Sequence, residues 1–271
     1  MKREDLNKAL IVLLLVCIAY LPVFIWMLGR WGAKDSYYSH GYLVPFISAF
    51  LIWLKREKLG KMEINPSARA GWVLLSSGIA IHLISAVLRV YFSSGFSLIL
   101  VLSGIVLLFL GKEFLKNILF PILFLVFMMP LPLVAIANIS FKLKIFAAQI
   151  STIVINWMGV AAAREGSIIK TAHSYVVVED PCSGIRSLIA LIALGALMAY
   201  FSRLSMPKRI ILFLSAIPIA VFSNVIRIVA LSLVSDMYGA KLAGGTFHTV
   251  MGLLVFVFSF LGLLLIEKVM E

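Results

Sequence analysis

Long apolar runs separated by short polar or charged stretches set the pattern of this chain. The first run, Ala9 to Leu28, carries no charge and follows Lys2, Arg3 and Lys8. It is longer than the apolar core of a secretory signal and no small-x-small cleavage site follows, so an uncleaved first transmembrane helix is expected. A polar stretch, Gly29–His40, precedes a short helix over about Gly41–Leu54. The basic segment Lys55–Arg69 contains Asn65-Pro66, a loop signal. Further helices are predicted over about Ala70–Leu88 and Ser93–Leu110. After the charged turn Gly111–Asn117, the run Ile118–Val134 carries Pro121, Pro130 and Pro132, which predicts a helix that kinks or ends near Met129.

The pattern then changes. Lys142, Lys144, Gln149 and Asn156 interrupt Ala135–Val160, which reads either as a span or as an amphipathic helix along the interface. Arg164–Asp180 is strand-like. Ser167–Thr171 and Tyr175–Val178 flank Ala172-His173-Ser174, the signature of a β-hairpin. Helices over about Ser183–Ser202, Arg209–Ser235 and His248–Ile266 complete the chain. The expected fold is an all-α polytopic membrane protein. It has about eight transmembrane helices and one short extracytoplasmic β-hairpin before helix six. Residues 1–271 are read as a single integral membrane domain without internal repeats or an appended soluble domain.

Composition supports this class. Hydrophobic residues make up 62% of the 271 and charged residues 13%. A soluble domain runs near 45–50% apolar and about 25% charged, so a soluble protein of this length is excluded. Two cysteines exclude a disulfide scaffold. The net charge of +12 would suggest nucleic acid in a soluble protein. Here the basic residues sit at the ends of apolar runs, so membrane orientation and lipid headgroups account for them and no nucleic-acid partner is expected. The densest basic loops are the N-terminus, Lys55–Arg69, Lys112/Lys116 and Arg203/Lys208/Arg209. Placing these in the cytoplasm puts the hairpin, Cys182, the end of helix seven and His248 on the outer face of the cell membrane.

Three residues stand out chemically. In Asp180-Pro181-Cys182-Ser183-Gly184-Ile185-Arg186, Asp180 suits an N-cap and Pro181 the first helical position. Cys182 would then lie in the first turn of helix six, with Arg186 one turn on along the same face. The helix dipole and Arg186 both favour thiolate, and Asp180 opposes them weakly. The bland reading is a small buried hydrophobe, as most free cysteines are. Cys17, in the middle of helix one, fits that reading and lies in the wrong layer to pair with Cys182. Arg227 ends an uncharged run of helix seven, Ile210 to Ile226, that rises ~25 Å, which places it near the outer edge of the hydrocarbon core. Asn224 shares its face. An arginine there costs at least ~2.5 kcal/mol unless paired or facing a wet cavity; the bland reading is a snorkelling side chain with a lipid phosphate. His248 opens helix eight at the same boundary. A thiolate, an acid/base and a cation on one membrane face are the inventory of nucleophilic acyl transfer. His40, His82 and His173 are weaker: a residue before helix two, a buried hydrogen bond in helix three and a solvent-exposed turn. Zinc on Cys182, His173 and His248 has no CxxC, HxH or HExxH spacing behind it, and neither a metal nor another cofactor is expected.

These segments resemble the exosortase/archaeosortase family of membrane cysteine transpeptidases. The resemblance rests on Val178–Leu188, with its Cys-Ser-Gly-Ile-Arg, on Asn224-Val225-Ile226-Arg227-Ile228, and on His248 at the start of the last span. Asp35–Pro45 and Met129-Pro130-Leu131-Pro132 are also similar to family segments. The resemblance implies substrates with a C-terminal signal of a short motif, a transmembrane helix and a basic cluster. It implies cleavage near the motif on the outer face and transfer of the acyl group, through a thioester, to an acceptor that is a lipid or water. The family's nucleophile, arginine and histidine fall on Cys182, Arg227 and His248, with Arg186, Asn224, Ser183 and Gly184 beside them. Some archaeal relatives carry arginine at the position of His248. Two other readings compete. A transporter or flippase would use Arg227 to bind an anionic substrate and would line a path across the bilayer with polar groups. A thiol oxidoreductase would need a second cysteine in the layer of Cys182.

Overall fold

A computed structural model describes residues 3–34, 36–178, 183–239 and 245–271, without the side chains of 3–7, 9, 10, 13, 245, 246, 248 and 249. The chain divides into two compact units, Met1–Leu131 and Pro132–Glu271. Each is described separately.

The first unit contains α1 (Arg3–Ala19), α2 (Leu21–Trp31), α3 (Leu43–Leu54), the short α4 (Arg56–Gly60), α5 (Ala68–Val87), α6 (Tyr91–Phe109) and α7 (Lys112–Phe124). Single turns of 3-10 helix precede α3 at Ser39–Tyr42 and follow α7 at Leu125–Met128. The single helix expected over Ala9–Leu28 is therefore two. Pro22 has no N–H to continue a helix and is tolerated in a first turn, so the chain breaks at Tyr20 and restarts with Pro22 in the first turn of α2. Cys17 is exposed on α1 among Leu14, Leu15 and Ile18, which corrects its expected burial: the apolar face it shares points away from the protein. The hairpin of α5 and α6 is tight because Gly71, Gly78 and Gly104 face Leu108, Val101 and Leu75, where a side chain would not fit.

Proline explains several polar side chains of this unit. Pro121 lies inside α7 and cannot donate to the Asn117 carbonyl. Lys55 donates to that carbonyl instead, at 2.6 Å, and Ser48 donates to the carbonyl of Pro121 at 2.7 Å. After the 3-10 turn the chain leaves the helix at Met129, as Pro130 and Pro132 predict. Trp31 Nε1 donates to the Met128 carbonyl at 2.8 Å and His40 Nε2 to that of Phe127 at 3.2 Å. Tyr38 Oη accepts the Leu131 N–H at 3.2 Å. Burial pushes the Tyr38 phenol above its usual range, so it stays protonated. Asp35 lies outside the described residues. Tyr38, His40 and the Met-Pro-Leu-Pro element thus form one hydrogen-bonded closure of a proline-terminated helix.

The second unit opens with α8 (Leu133–Trp157), one continuous helix of 25 residues that is long and apolar enough to cross a bilayer. A sheet of β1 (Ala162–Glu165), β2 (Ile168–Thr171) and β3 (Tyr175–Val177) follows, antiparallel in the order β1-β2-β3. The expected hairpin is its β2–β3 half. β1 escapes the sequence reading because Ala-Ala-Arg-Glu has little strand propensity; Gly166, at φ +61°, makes its turn. Then come α9 (Ile185–Phe201), α10 (Met206–Tyr238) and α11 (Gly245–Met270). Leu191 of α9, Leu212, Ala216 and Ala220 of α10 and Leu263 of α11 share one core. A second core joins Ala147, Ala148 and Ile155 of α8, Ile169 and Val178 of the sheet region, and Val225, Ile228 and Val229 of α10.

Among the described residues five helices meet the length and hydropathy of a membrane span: α5, α6, α8, α10 and Val250–Met270 of α11. The segments Ser39–Leu54 and Ile185–Phe201 are shorter apolar helices. About eight spans were expected; two of the expected runs are interrupted, at Tyr20 and after Phe124.

Candidate active site

The sequence places a helix start before Cys182. The structure places it later. α9 begins at Ile185, and its N-cap is Gly184 rather than Asp180. Asp180, Pro181 and Cys182 lie outside the described residues. Arg186 is therefore the second residue of α9, and it is exposed. The one-turn spacing to Cys182 requires a helix that starts earlier, and with α9 starting at Ile185 helical spacing does not pair the two residues.

The loop that leads into α9 is held by its own small residues. Gly184 adopts φ +80°, a left-handed conformation that disfavours any residue with a Cβ. Ser183 is buried, and its Oγ accepts the Ile185 N–H at 3.5 Å. Ser187 Oγ donates to the Gly184 carbonyl at 2.9 Å, where Leu188 N–H also bonds. A Cβ on Gly184 would stand 2.8 Å from Asn224 Cγ. Only glycine lets the backbone of this turn lie against the Asn224 amide. Ser183, Gly184 and Asn224 meet at a cavity of about 10 Å³, walled by Leu143, Ala147, Leu188 and Ala220. That is room for one water at most.

One turn further along α10, Arg227 is 8% exposed and is the one charged residue buried among those described. This removes the snorkelling reading. Its guanidinium lies against α11 at Gly252, where a Cβ would stand 3.4 Å from Nη2 and 3.6 Å from Cζ. Gly252, Val255, Ser259 and Leu263 follow one helical stripe, and Val255, Ser259 and Leu263 are fully buried. His248 lies one turn before Gly252 in α11; its side chain lies outside the described residues. Sequence reasoning missed Gly252. Its signal was a glycine inside an apolar helix, four residues after His248, where flexibility has no use but close approach does.

α10 also fixes the chain that arrives at Cys182. His173 N–H donates to Asp236 Oδ1 at 3.1 Å, His173 Nδ1 is 3.5 Å from the same oxygen, and Ser174 and Ser235 hydroxyls share a hydrogen bond of 2.6 Å. The His173 ring is exposed, as expected of a turn. Val178 is buried with Val225, Ile228 and Val229, and its N–H bonds the Ser167 carbonyl at 2.9 Å. The four residues 179–182 therefore connect two points, Val178 and Ser183, that both rest on α10 between Asn224 and Val229. His40 and His82 belong to the first unit and serve its fold. His82 Nδ1 bonds Ser94 Oγ at 2.7 Å, so the expected hydrogen bond is present, on a half-buried ring.

Comparisons with known proteins identify the family. No curated protein and no solved structure matches the chain. The family model described as transmembrane exosortase matches residues 26–265, which include every segment of the candidate site, and the chain belongs to that family.

Proposed function

We propose that this protein is a membrane-embedded cysteine transpeptidase that cleaves C-terminal sorting signals of exported proteins on the outer face of the cell membrane. Family membership supports a transpeptidase role in general. The observation that carries the reading is the convergence on one stretch of α10: Gly184, two residues after Cys182, packs on Asn224, and Arg227 packs on Gly252, one turn after His248.

In this mechanism the substrate helix lies beside α9–α11 with its scissile peptide at the outer boundary. The Cys182 thiolate attacks the carbonyl carbon. A C–S bond forms and the π pair moves to oxygen. Arg227, shielded from water, stabilises that oxyanion more strongly than it would in solvent. Collapse restores the carbonyl and breaks the C–N bond, and His248 gives its proton to the leaving amine. The acyl group stays on Cys182 as a thioester. His248 then takes the proton of the acceptor, a lipid nucleophile or water. The acceptor attacks the thioester, and the thiolate leaves. Asn224, Ser183 and Gly184 position the turn that follows the nucleophile. Arg186 adds only a solvent-screened positive charge.

The test is mass spectrometry of Cys182 peptides after incubation with substrate, in parent and His248→Ala enzymes. An acyl adduct on Cys182, enriched in His248→Ala, is expected. Processing without any trappable adduct would remove covalent catalysis from the reading.

A further inference from the structure

Among the described strands β3 lies at the edge of the sheet, and it leads directly to the nucleophile segment. Register determines which backbone groups that edge presents. Thr171 N–H bonds the Ser174 carbonyl and Val178 N–H bonds the Ser167 carbonyl, each at 2.9 Å. Ile169 pairs with Val176 midway between them. In an antiparallel ladder, bonded and non-bonded pairs alternate, so Ser174, Val176 and Val178 turn their N–H and C=O groups toward β2. Tyr175 and Val177 turn theirs outward. Among the described residues no hydrogen bond reaches those outward groups. Both residues are open to the surroundings, Tyr175 at 64% and Val177 at 42% exposure. No lysine, proline or bulge stands within Tyr175–Val177, and the three-residue length limits any added pairing to a short motif.

The direction of the strand follows from its tethers. β3 starts where Ser174 meets Ser235, at the end of α10, and runs to Val178, packed on Val225, Ile228 and Val229. It thus descends roughly 10 Å along α10 to the level of Arg227.

We propose that the substrate's cleavage motif binds as an extended strand added to this edge, parallel to β3. The inference deepens the transpeptidase reading and rests on it. A substrate whose motif lies outside and whose helix then enters the membrane runs in the same direction as β3. Paired there, its backbone bonds Tyr175 and Val177 and delivers the following peptide to the level of Arg227. The outward backbone groups supply affinity, and alternate side chains of the motif face Tyr175 and Val177 and supply selectivity.

The test substrate is a protein from the same genome that ends in a short motif, an apolar helix and an Arg/Lys cluster and is processed in a Cys182-dependent way. Val177→Pro removes one outward N–H and leaves the β2–β3 ladder intact, because proline fits an extended edge position. It is expected to lower kcat/KM about tenfold or more, mainly through KM. The melting temperature and the Cys182 alkylation rate stay unchanged, and Val177→Thr, which keeps the outward N–H, loses less kcat/KM than Val177→Pro. Val176→Pro, which removes a ladder bond, should instead lower the melting temperature. As a measurement independent of proline, single cysteines placed across the motif are cross-linked to Val177→Cys or Tyr175→Cys in a Cys17→Ser, Cys182→Ala background. Cross-links should appear at alternate motif positions, with Tyr175→Cys reaching positions nearer the motif's N-terminus. Normal kinetics in Val177→Pro, cross-links without alternation, or the reverse order would each overturn the proposal while leaving Cys182 chemistry standing. Processing by Cys182→Ala would overturn the transpeptidase reading itself.

Discussion

Both units bury polar side chains within apolar helices, but the side chains do different work. In the first unit Lys55, Trp31 and His40 each serve a carbonyl at a proline-broken or terminating helix, and Tyr38 receives the Leu131 N–H. In the second, Arg227 is buried within α10, nine residues beyond Pro218, where its guanidinium meets a glycine of α11. A polar residue in an apolar run is therefore weak evidence of chemistry by itself. The stronger evidence is a buried charge set among segments that close approach has brought together.

Mutations should separate the two kinds. Cys182→Ala is expected to abolish processing while the protein still inserts at its normal level, measured by immunoblot of substrate and enzyme. Intact cells should label Cys182, and not Cys17, with a membrane-impermeant thiol reagent; labelling that needs permeabilised cells would invert the topology. Arg227→Lys keeps the charge but loses the planar fork, and a drop of about 10²–10³ in kcat is expected, as for loss of one oxyanion donor. Activity near that of the parent would return Arg227 to a structural role like that of Lys55. Trp31→Phe belongs to the other class. It strands the Met128 carbonyl and should cost about 1–3 kcal/mol of stability in detergent, with kcat unchanged in the folded fraction. A kcat effect larger than the stability effect would join the two classes. Arg186→Leu should have the smallest effect, a slight upward move of the Cys182 alkylation pH profile, because the side chain is exposed and its charge is screened.

What the sequence made legible follows the same division. Helix positions were readable because apolar runs must end at charge or proline, and Ala70–Leu88, Ser93–Leu110 and Arg209–Ser235 match α5, α6 and most of α10. The break at Tyr20 was not read, although Pro22 was in plain view, because the apolar run continues through it. β1 was missed because its side chains are small and charged; pairing with Ile168–Thr171 selects it, not its own propensity. At the candidate site Arg227 was legible as a charge where none belongs. The start of α9 was misjudged. Asp-Pro is a strong N-terminal signal, but contact between Gly184 and Asn224 on a distant helix sets the start, and such contacts leave no local pattern.

The replacement bond at Pro121 also has an evolutionary consequence. Because the Asn117 carbonyl takes its donor from Lys55, positions 55 and 121 are linked although 66 residues apart in sequence. A relative that lost the proline would regain the helical N–H, and position 55 would no longer be held to a donor by that carbonyl. A relative that lost the lysine first would carry a stranded carbonyl until the proline went too. The substitutions should therefore occur in that order in descent, with proline lost before lysine, and a family tree would show lysine lost beside a retained proline far less often than the reverse.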